Sequence, residues 1–353
     1  MTAAATAVTS VSGRTQLDQL WQRGRDLLGT ELAILGGAMT WVSERQLVSA
    51  ISNAGGFGVL ACGSMTPALL EAEIRATQAL TSKPFGVNLI VMHPALVELA
   101  DVCLQTGVTH VVLAGGLPSS QIIKQLKAGG AKVLAFAPAP VIARRLVKSG
   151  VDGLIIEGME AGGHIGPVST SVLAQEILPL ITDVPVFVAG GIGRGEAIVS
   201  YLEMGAAGVQ LGTRFVCATE CVAHPRFKQA FLKAEARDAM PSIQVDQRFP
   251  VIPVRAIVND ASRAFADAQR AAIAKFESGE LSLKDAQLQI EHFWAGALRR
   301  AVVDGDVETG SLMAGQSVGM VTREQPTAEI LSDLVTQAVT ALEARAARAS
   351  AAA

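Results

Sequence analysis

Residues 148–158 read KSGVDGLIIEG, and this short stretch carries the pattern that decides the fold. A basic helical end runs into Ser149-Gly150, and glycine closes helices because it accepts the left-handed conformation. The apolar run Val151-Asp152-Gly153-Leu154-Ile155-Ile156 then reads as a buried strand. The same cadence recurs in SNAGGFGVL (52–60), QTGVTHVVLA (105–114), KAGGAKVLAF (127–136) and EMGAAGVQLG (203–212). Gly107, Gly129 and Gly150 lie 21 or 22 residues apart, the length of one compact helix-plus-strand unit.

Adding AILGG (33–37), PFGVNLI (84–90) and VPVFVAGG (184–191) gives strand candidates near residues 33, 58, 86, 109, 132, 152, 185 and 208. Helical patterns fill every gap, so the strands are expected to run parallel. Eight such units in one register predict an α/β fold of the TIM (β/α)8 barrel type. A doubly wound open sheet is the alternative, but no G-x-G-x-x-G follows an early strand, and GGIGRG at 190–195 does not fit that fingerprint. The expected organisation is an N-terminal extension over 1–30, the barrel over 31–237, a helical cap over 238–309, and a return segment with a C-terminal helix over 310–347. The first dozen residues read as a loose terminus rather than a secretory signal, and the Ala-rich end is expected to fray.

Half of the 353 residues are apolar, 17% are charged, and the net charge is -3. That balance offers no electrostatic footprint for nucleic acid or an anionic membrane. No apolar run reaches the roughly 20 residues a membrane helix requires, so a cytoplasmic protein is expected. The four cysteines, Cys62, Cys103, Cys217 and Cys221, make neither a disulfide framework nor a zinc motif, and no metal site is expected.

Loops after the strands of such a barrel gather on one face, where active sites lie. Sorting by that rule puts Gly36, Gly37, Ala38 and Met39 after the first strand, Asn88 at the end of the third, and Glu157 to Gly166 after the sixth. Gly190 and Gly191 follow the seventh, Gly212 and Thr213 the eighth. Glycine at strand ends lets backbone amides approach an anion, and the last two strands are the usual source of a phosphate cup. Gly191, Gly193, Gly212 and Thr213 can donate there, with Arg214 adding charge; two adjacent clusters weigh against the plainer reading of tight turns alone. His164 stands in EGMEAGGHIG (157–166) without a bulky neighbour, and its near-neutral pKa suits proton transfer. His93, His110, His224 and His292 read as structural or surface residues. A cup, one acid–base histidine and an apolar mouth imply that a bound cofactor carries the hard chemistry.

On GGAMTWV, PFGVNLI, EGMEAGGHIG, PVFVAGGIGRGE, VQLGTRFV and GSLMAGQSVGMV, in that order over about 31–335, the chain resembles the FMN-dependent nitronate monooxygenase family, which includes the type II enoyl-acyl carrier protein reductases. The resemblance implies a TIM barrel with FMN at its mouth and a homodimer. It implies that Met39 and Asn88 flank the isoalloxazine, that Gly37 and Ala38 give backbone contacts, and that Glu157 lies near the ribityl chain and Gly163 near the phosphate. Gly190, Gly191, Gln210, Gly212 and Thr213 would hold the phosphate end, Met313, Ala314 and Gln316 would close over the flavin, and His164 would move protons at the substrate. Gly36 departs from the enoyl reductases, which carry glutamine there.

Two activities share this framework. The enoyl reductases take electrons from NADH or NADPH and reduce an enoyl thioester; the nitronate monooxygenases oxidise a nitronate with dioxygen. WAGALRRAVVDGDVETGSLMAGQSVGMV (294–321) is closer to the enoyl reductases, which makes enoyl thioester reduction the preferred reading and nitronate oxidation the alternative. A flavin-free isomerase or synthase of a phosphorylated metabolite is more remote, because no lysine stands in the strand-end loops named above, and a non-catalytic binding protein would have no use for His164.

Overall fold

The structure, a computed structural model, describes residues 12–251, 253–294 and 296–352. Its strands are β1 (Ile34–Gly36), β2 (Gly58–Ala61), β3 (Phe85–Ile90), β4 (His110–Ala114), β5 (Lys132–Phe136), β6 (Gly153–Glu157), β7 (Gly163–His164), β8 (Val186–Ala189), β9 (Gly208–Leu211), β10 (Ala239–Pro241) and β11 (Val254–Ile257). Eight of them form one parallel sheet in the order β1-β9-β8-β6-β5-β4-β3-β2. The ends meet where Gly36 N donates to Phe57 O at 2.8 Å and Phe57 N donates to Ile34 O at 2.9 Å, which closes a TIM barrel. All eight expected strands are present.

Glycines turn the chain from helix to strand, with one difference in register. In KAGG the residue with the left-handed backbone is Gly130 (φ 87°), not Gly129. Gly129 is demanded by packing instead, since a Cβ there would stand 2.4 Å from Leu104 Cδ2. The neighbouring units turn as expected on Gly107 (φ 75°) and Gly150 (φ 92°).

The N-terminal helices Gly13–Leu20 and Gln22–Leu28 close the barrel's lower end. Leu17, Trp21 and Leu28 are fully buried. The Leu27 carbonyl accepts from Lys132 Nζ at 2.6 Å and lies 2.9 Å from His110 Nε2, tying the plug to the first residues of β4 and β5. The expected loose terminus falls outside the described residues apart from Ser12 and Gly13, and Ser12 caps the first helix.

Above the barrel, helices Asp260–Glu277 and Leu283–His292 gather around a small apolar cluster built on Phe249, Phe265 and Ile273, while the helix Ala297–Val302 packs Ala301 and Val302 into the main core. This region also contains two strands that its helical periodicity hides: β10 pairs with β11, and β11 pairs with β7 of the loop after β6, giving a three-stranded antiparallel sheet. The chain then returns along β11, with Ile257 N donating to Leu312 O at 2.9 Å, and ends in the helix Thr327–Ala352. That helix runs on through the Ala-rich end that was expected to fray, and lies beside the helix Gly195–Glu203, whose first N–H donates to Gln337 Oε1 at 2.9 Å.

Candidate active site

Strand alternation decides which side chains point into the barrel. His110 and Lys132 reach Leu27 from inside, and two-residue steps from that layer carry the inward set upward through Val112 and Leu134. On β3 the same face holds Gly86, packed on Phe57, and then Asn88; on β6 it holds Gly153, packed on Leu27, and then Glu157. On β9 it holds Gly208 and then Gln210, whose side chain fills the space beside Gly37 at 3.4 Å from where a Cβ would stand. The top layer of the barrel interior is therefore polar in three places.

These three residues differ in how they are satisfied. Asn88 is buried, and its Nδ2 donates to Val112 O at 3.1 Å, while Cys62 Sγ donates to the Asn88 carbonyl at 2.8 Å. β3 continues for two residues past Asn88, to Ile90, so Asn88 lies inside the strand rather than at its end. Gln210 is buried and its amide makes no hydrogen bond among the described residues. Glu157 is half-buried at the end of β6, also without a hydrogen-bond partner, and burial alone pushes its carboxyl up to about 8. A carboxyl held neutral at pH 7 can donate as well as accept, an unusual property at the centre of a barrel mouth.

The loop after β1 is folded back by one hydroxyl. Ser43 Oγ donates to Gly37 O at 2.8 Å and accepts from Met39 N at 3.0 Å, setting Gly37, Ala38 and Met39 along the rim. Met39 Sδ lies 3.4 Å from where a Cβ of Gly212 would stand, so this loop reaches the one after β9. Further along, Trp41 holds a left-handed backbone (φ 68°), costly for a bulky side chain, with the Arg299 guanidinium 5.9 Å from its ring.

The cup is built from Gly190, Gly191, Gly212 and Thr213. None of their four backbone N–H groups has a hydrogen-bond partner among the described residues. Gly191 is left-handed (φ 72°), and its side-chain position faces Glu160 Cβ at 3.1 Å. Thr213 Oγ1 accepts from Gly315 N at 2.9 Å, and Gln316 N donates to Glu160 O at 2.9 Å, so the return segment is tied to both halves of the cup. A cavity of about 360 Å³ opens here, lined by Gly190, Gly191, Glu160, Gln316, Tyr201 and Met320 among others. Arg214, expected to add charge to the cup, is buried with Nη2 3.5 Å from Gln325 Oε1, while Gly193 packs against Met320, whose Sδ lies 2.7 Å from where a Cβ would stand.

His164 is exposed at the mouth, on β7, where it pairs with Val254. Its ring makes no hydrogen bond among the described residues, and the surrounding protein lowers its pKa from the ordinary value. Gly163 (φ 77°) precedes it, with Met313 Sδ 3.5 Å from its side-chain position. Gly162 serves the return segment, since a Cβ there would lie 2.6 Å from the Ala314 carbonyl carbon. Ala314 is fully buried and its N–H donates to Arg255 O at 3.3 Å, so it supports this crossing. The other histidines act locally: His93 and His224 accept backbone N–H bonds through Nδ1, His110 is buried in the lower barrel, and His292 is exposed.

Glu160 went unremarked in the sequence. Its Oε2 accepts from Thr170 N at 2.8 Å and Thr170 Oγ1 at 2.9 Å, anchoring the loop to the helix Thr170–Ile177. Its fourth place in EGME was a readable signal, an acidic residue ten positions before a helix start in a loop otherwise short of side chains. Cys217 and Cys221 are buried free thiols outside any helix, and burial raises both. Among the described residues, no three His, Cys, Asp or Glu side chains are grouped to hold a metal ion, and no helix is long and apolar enough to cross a membrane.

The nitronate monooxygenase family model matches residues 22–337. The (3aS,4S,5R,7aS)-5-hydroxy-7a-methyl-1-oxo-octahydro-1H-indene-4-carboxyl-CoA dehydrogenase of Mycobacterium tuberculosis is 32% identical over 347 residues, covering 90% of this chain and 96% of its own length. A nitronate monooxygenase of Paraburkholderia phytofirmans is 29% identical over 360 residues, covering 87% and 92%. Among solved structures, FabK from Thermotoga maritima is similar at a TM-score of 0.83 and 35% identity, over 92% of this chain and 98% of that one. A nitroalkane oxidase from Streptomyces ansochromogenes gives a TM-score of 0.75 at 27% identity, over 91% and 99%. With a closed barrel, a polar mouth and matches over nine-tenths of its length, the chain is an oxidoreductase that belongs to the nitronate monooxygenase family.

Proposed function

We propose that this oxidoreductase binds FMN at the barrel mouth and uses NADH or NADPH to reduce an enoyl thioester, with His164 moving the proton. The observation that carries the reading is the cup of four unpartnered N–H groups on Gly190, Gly191, Gly212 and Thr213, set beside a polar layer whose Gln210 and Glu157 are also unpartnered. Free amides fit a phosphate monoester. The Gln210 amide and the neutral Glu157 carboxyl fit a hydroxylated chain, and the sulfurs of Met39 and Met313 fit a planar ring system. Gly37, Ala38, Asn88, Gly163 and Gln316 complete the residues that would hold the group. Bound FMN would supply the two-electron chemistry that no side chain of this mouth possesses.

The chain's own part is to bind, orient and move a proton. The Ser43 hydroxyl fixes the rim on one side, and the return segment fixes it on the other. His164 is unencumbered by any internal hydrogen bond, so a ring nitrogen is available to deliver a proton to the α-carbon of the thioester. Although the side chain is exposed, partial desolvation by the protein around the mouth lowers its pKa, so its protonated form is a stronger acid than an ordinary imidazolium. The thioester is favoured by the likeness to FabK and to a carboxyl-CoA dehydrogenase. Nitronate oxidation is the second reading, favoured by the Paraburkholderia relative. The resemblance also implies a homodimer, which the molecular mass in solution tests.

A paired assay decides between the readings. Denatured protein that releases no FMN would end both. Under anaerobic conditions, bleaching of the flavin by NADH or NADPH followed by recolouring with an enoyl thioester is the expected result. Failure to bleach, together with oxygen uptake on adding an alkyl nitronate, would replace the first reading by the second.

A further inference from the structure

Arg255 is among the largest fully buried side chains of the protein, 2% exposed. Burying a guanidinium costs several kcal/mol, and an acidic partner usually offsets that cost. Among the described residues no carboxylate lies within ion-pair distance of Arg255; Nε donates to Met159 O at 2.9 Å and Nη1 donates to Ala239 O at 2.5 Å. Glu160 exerts an opposing charge on Arg255, but its Oε2 is engaged by Thr170. The backbone of Arg255 does as much. It pairs with Gly163 across β11 and β7, and its carbonyl accepts from Ala314 N at 3.3 Å. One residue therefore joins the loop after β6, the β10–β11 hairpin and the return segment.

Met159 lies between Glu157 and His164, in a loop whose glycines leave it few side-chain contacts of its own. We propose that Arg255 is the positioning residue of this loop, holding the Met159 carbonyl and so setting where His164 stands at the barrel mouth. The kinetic part of this inference rests on the proton-moving role proposed for His164; the positioning itself does not. A planar guanidinium spans two carbonyl acceptors on different segments at once, which a lysine ammonium cannot do with the same geometry. An apolar side chain of similar volume would fill the space but would leave the Met159 and Ala239 carbonyls without their donor.

The test uses the full-length protein with whatever flavin it retains on purification, as wild type, Arg255→Met and Arg255→Lys. Amide exchange of Gly163, His164 and Ile165 should quicken at least about tenfold in Arg255→Met, while Leu154 and Val188 in the barrel strands keep their rates. Arg255→Lys should fall between, and it carries the test alone where Arg255→Met does not fold. Unchanged loop exchange, or equal acceleration in the strands, would overturn the proposal. In turnover, Arg255→Met should lower kcat about tenfold to a hundredfold with little change in KM for the nicotinamide, and should cost nothing further in a His164→Ala background. Additive losses in that cycle would show that Arg255 does not act through His164. A fully active His164→Ala protein would remove the functional reading of the histidine, and the exchange rates would still judge the positioning.

Discussion

Replacing Glu157 by glutamine should make the flavin-free protein more stable at neutral and alkaline pH. The carboxyl titrates near 4.5 in an ordinary setting and near about 8 in the folded protein, the whole change coming from burial. Between those values the folded state retains a proton that the unfolded state has lost, so unfolding releases it and stability falls as pH rises. At about 1.4 kcal/mol for each of the roughly 3.5 pH units, the penalty reaches at most about 5 kcal/mol above pH 8 and vanishes below pH 4.5. Glutamine keeps the shape and has no proton to lose. Urea titrations of both proteins between pH 5 and pH 9 give the comparison, because the difference between the two curves cancels every other titrating group. The gap should open steadily with pH in favour of Glu157→Gln, by a few kcal/mol in total. Parallel curves would mean that Glu157 is solvated and ionised, and would remove the neutral carboxyl from the proposed site.

Replacement of His164 by alanine is expected to leave flavin content unchanged while lowering turnover about 10²- to 10⁴-fold, the usual worth of a positioned acid or base; near-normal turnover would refute the assignment. Since the protein around the mouth partly desolvates His164 and lowers its pKa, the rate limb that reports its protonated form should fall off below the ordinary histidine value as pH rises, which a pH profile of kcat checks. A Gly191→Val protein must place a β-branched residue at φ 72° with its Cβ 3.1 Å from Glu160 Cβ, so FMN occupancy after purification should drop well below wild type; equal occupancy would count against the cup. Trp21→Ala empties a fully buried site in the lower plug and should cost about 3–5 kcal/mol in denaturant titration, whereas a negligible change would show that the N-terminal helices are not part of the folding unit.

The barrel was legible because parallel strands buried on both faces leave a strong trace: runs such as Leu154-Ile155-Ile156 and Val111-Val112-Leu113 contain no solvent-facing position. What escaped were contacts made across the chain. The strand pairing of Gly163–His164 with Val254–Arg255 joins segments some 90 residues apart, and two residues of strand leave no periodicity to read. Gly129 and Gly130 show the same limit on a smaller scale, since only the position of Leu104 tells which glycine turns and which makes room.

The candidate site divides along that line. Gly191 and the loop opened by Glu157 were found because loops that follow barrel strands gather on one face, whereas Gln210 and the part of Glu157 in holding a cofactor came only from the family resemblance. Arg214 shows where the reasoning fails: next to Thr213 in sequence it belonged with the cup, yet its guanidinium turns toward Gln325 of the return segment. Arg255 is the converse, a charge in an unremarkable run of prolines and valines whose partners are two backbone carbonyls. Acceptors of that kind have no residue identity, so no motif can announce them. The loop 157–166, rich in glycine, depends on such support from outside: Gly163 supplies its left-handed turn, and its position is fixed by Thr170, β11 and the return segment. A change in Val254–Ile257 or in 312–316 should thus reach His164 as directly as a change in the histidine loop itself.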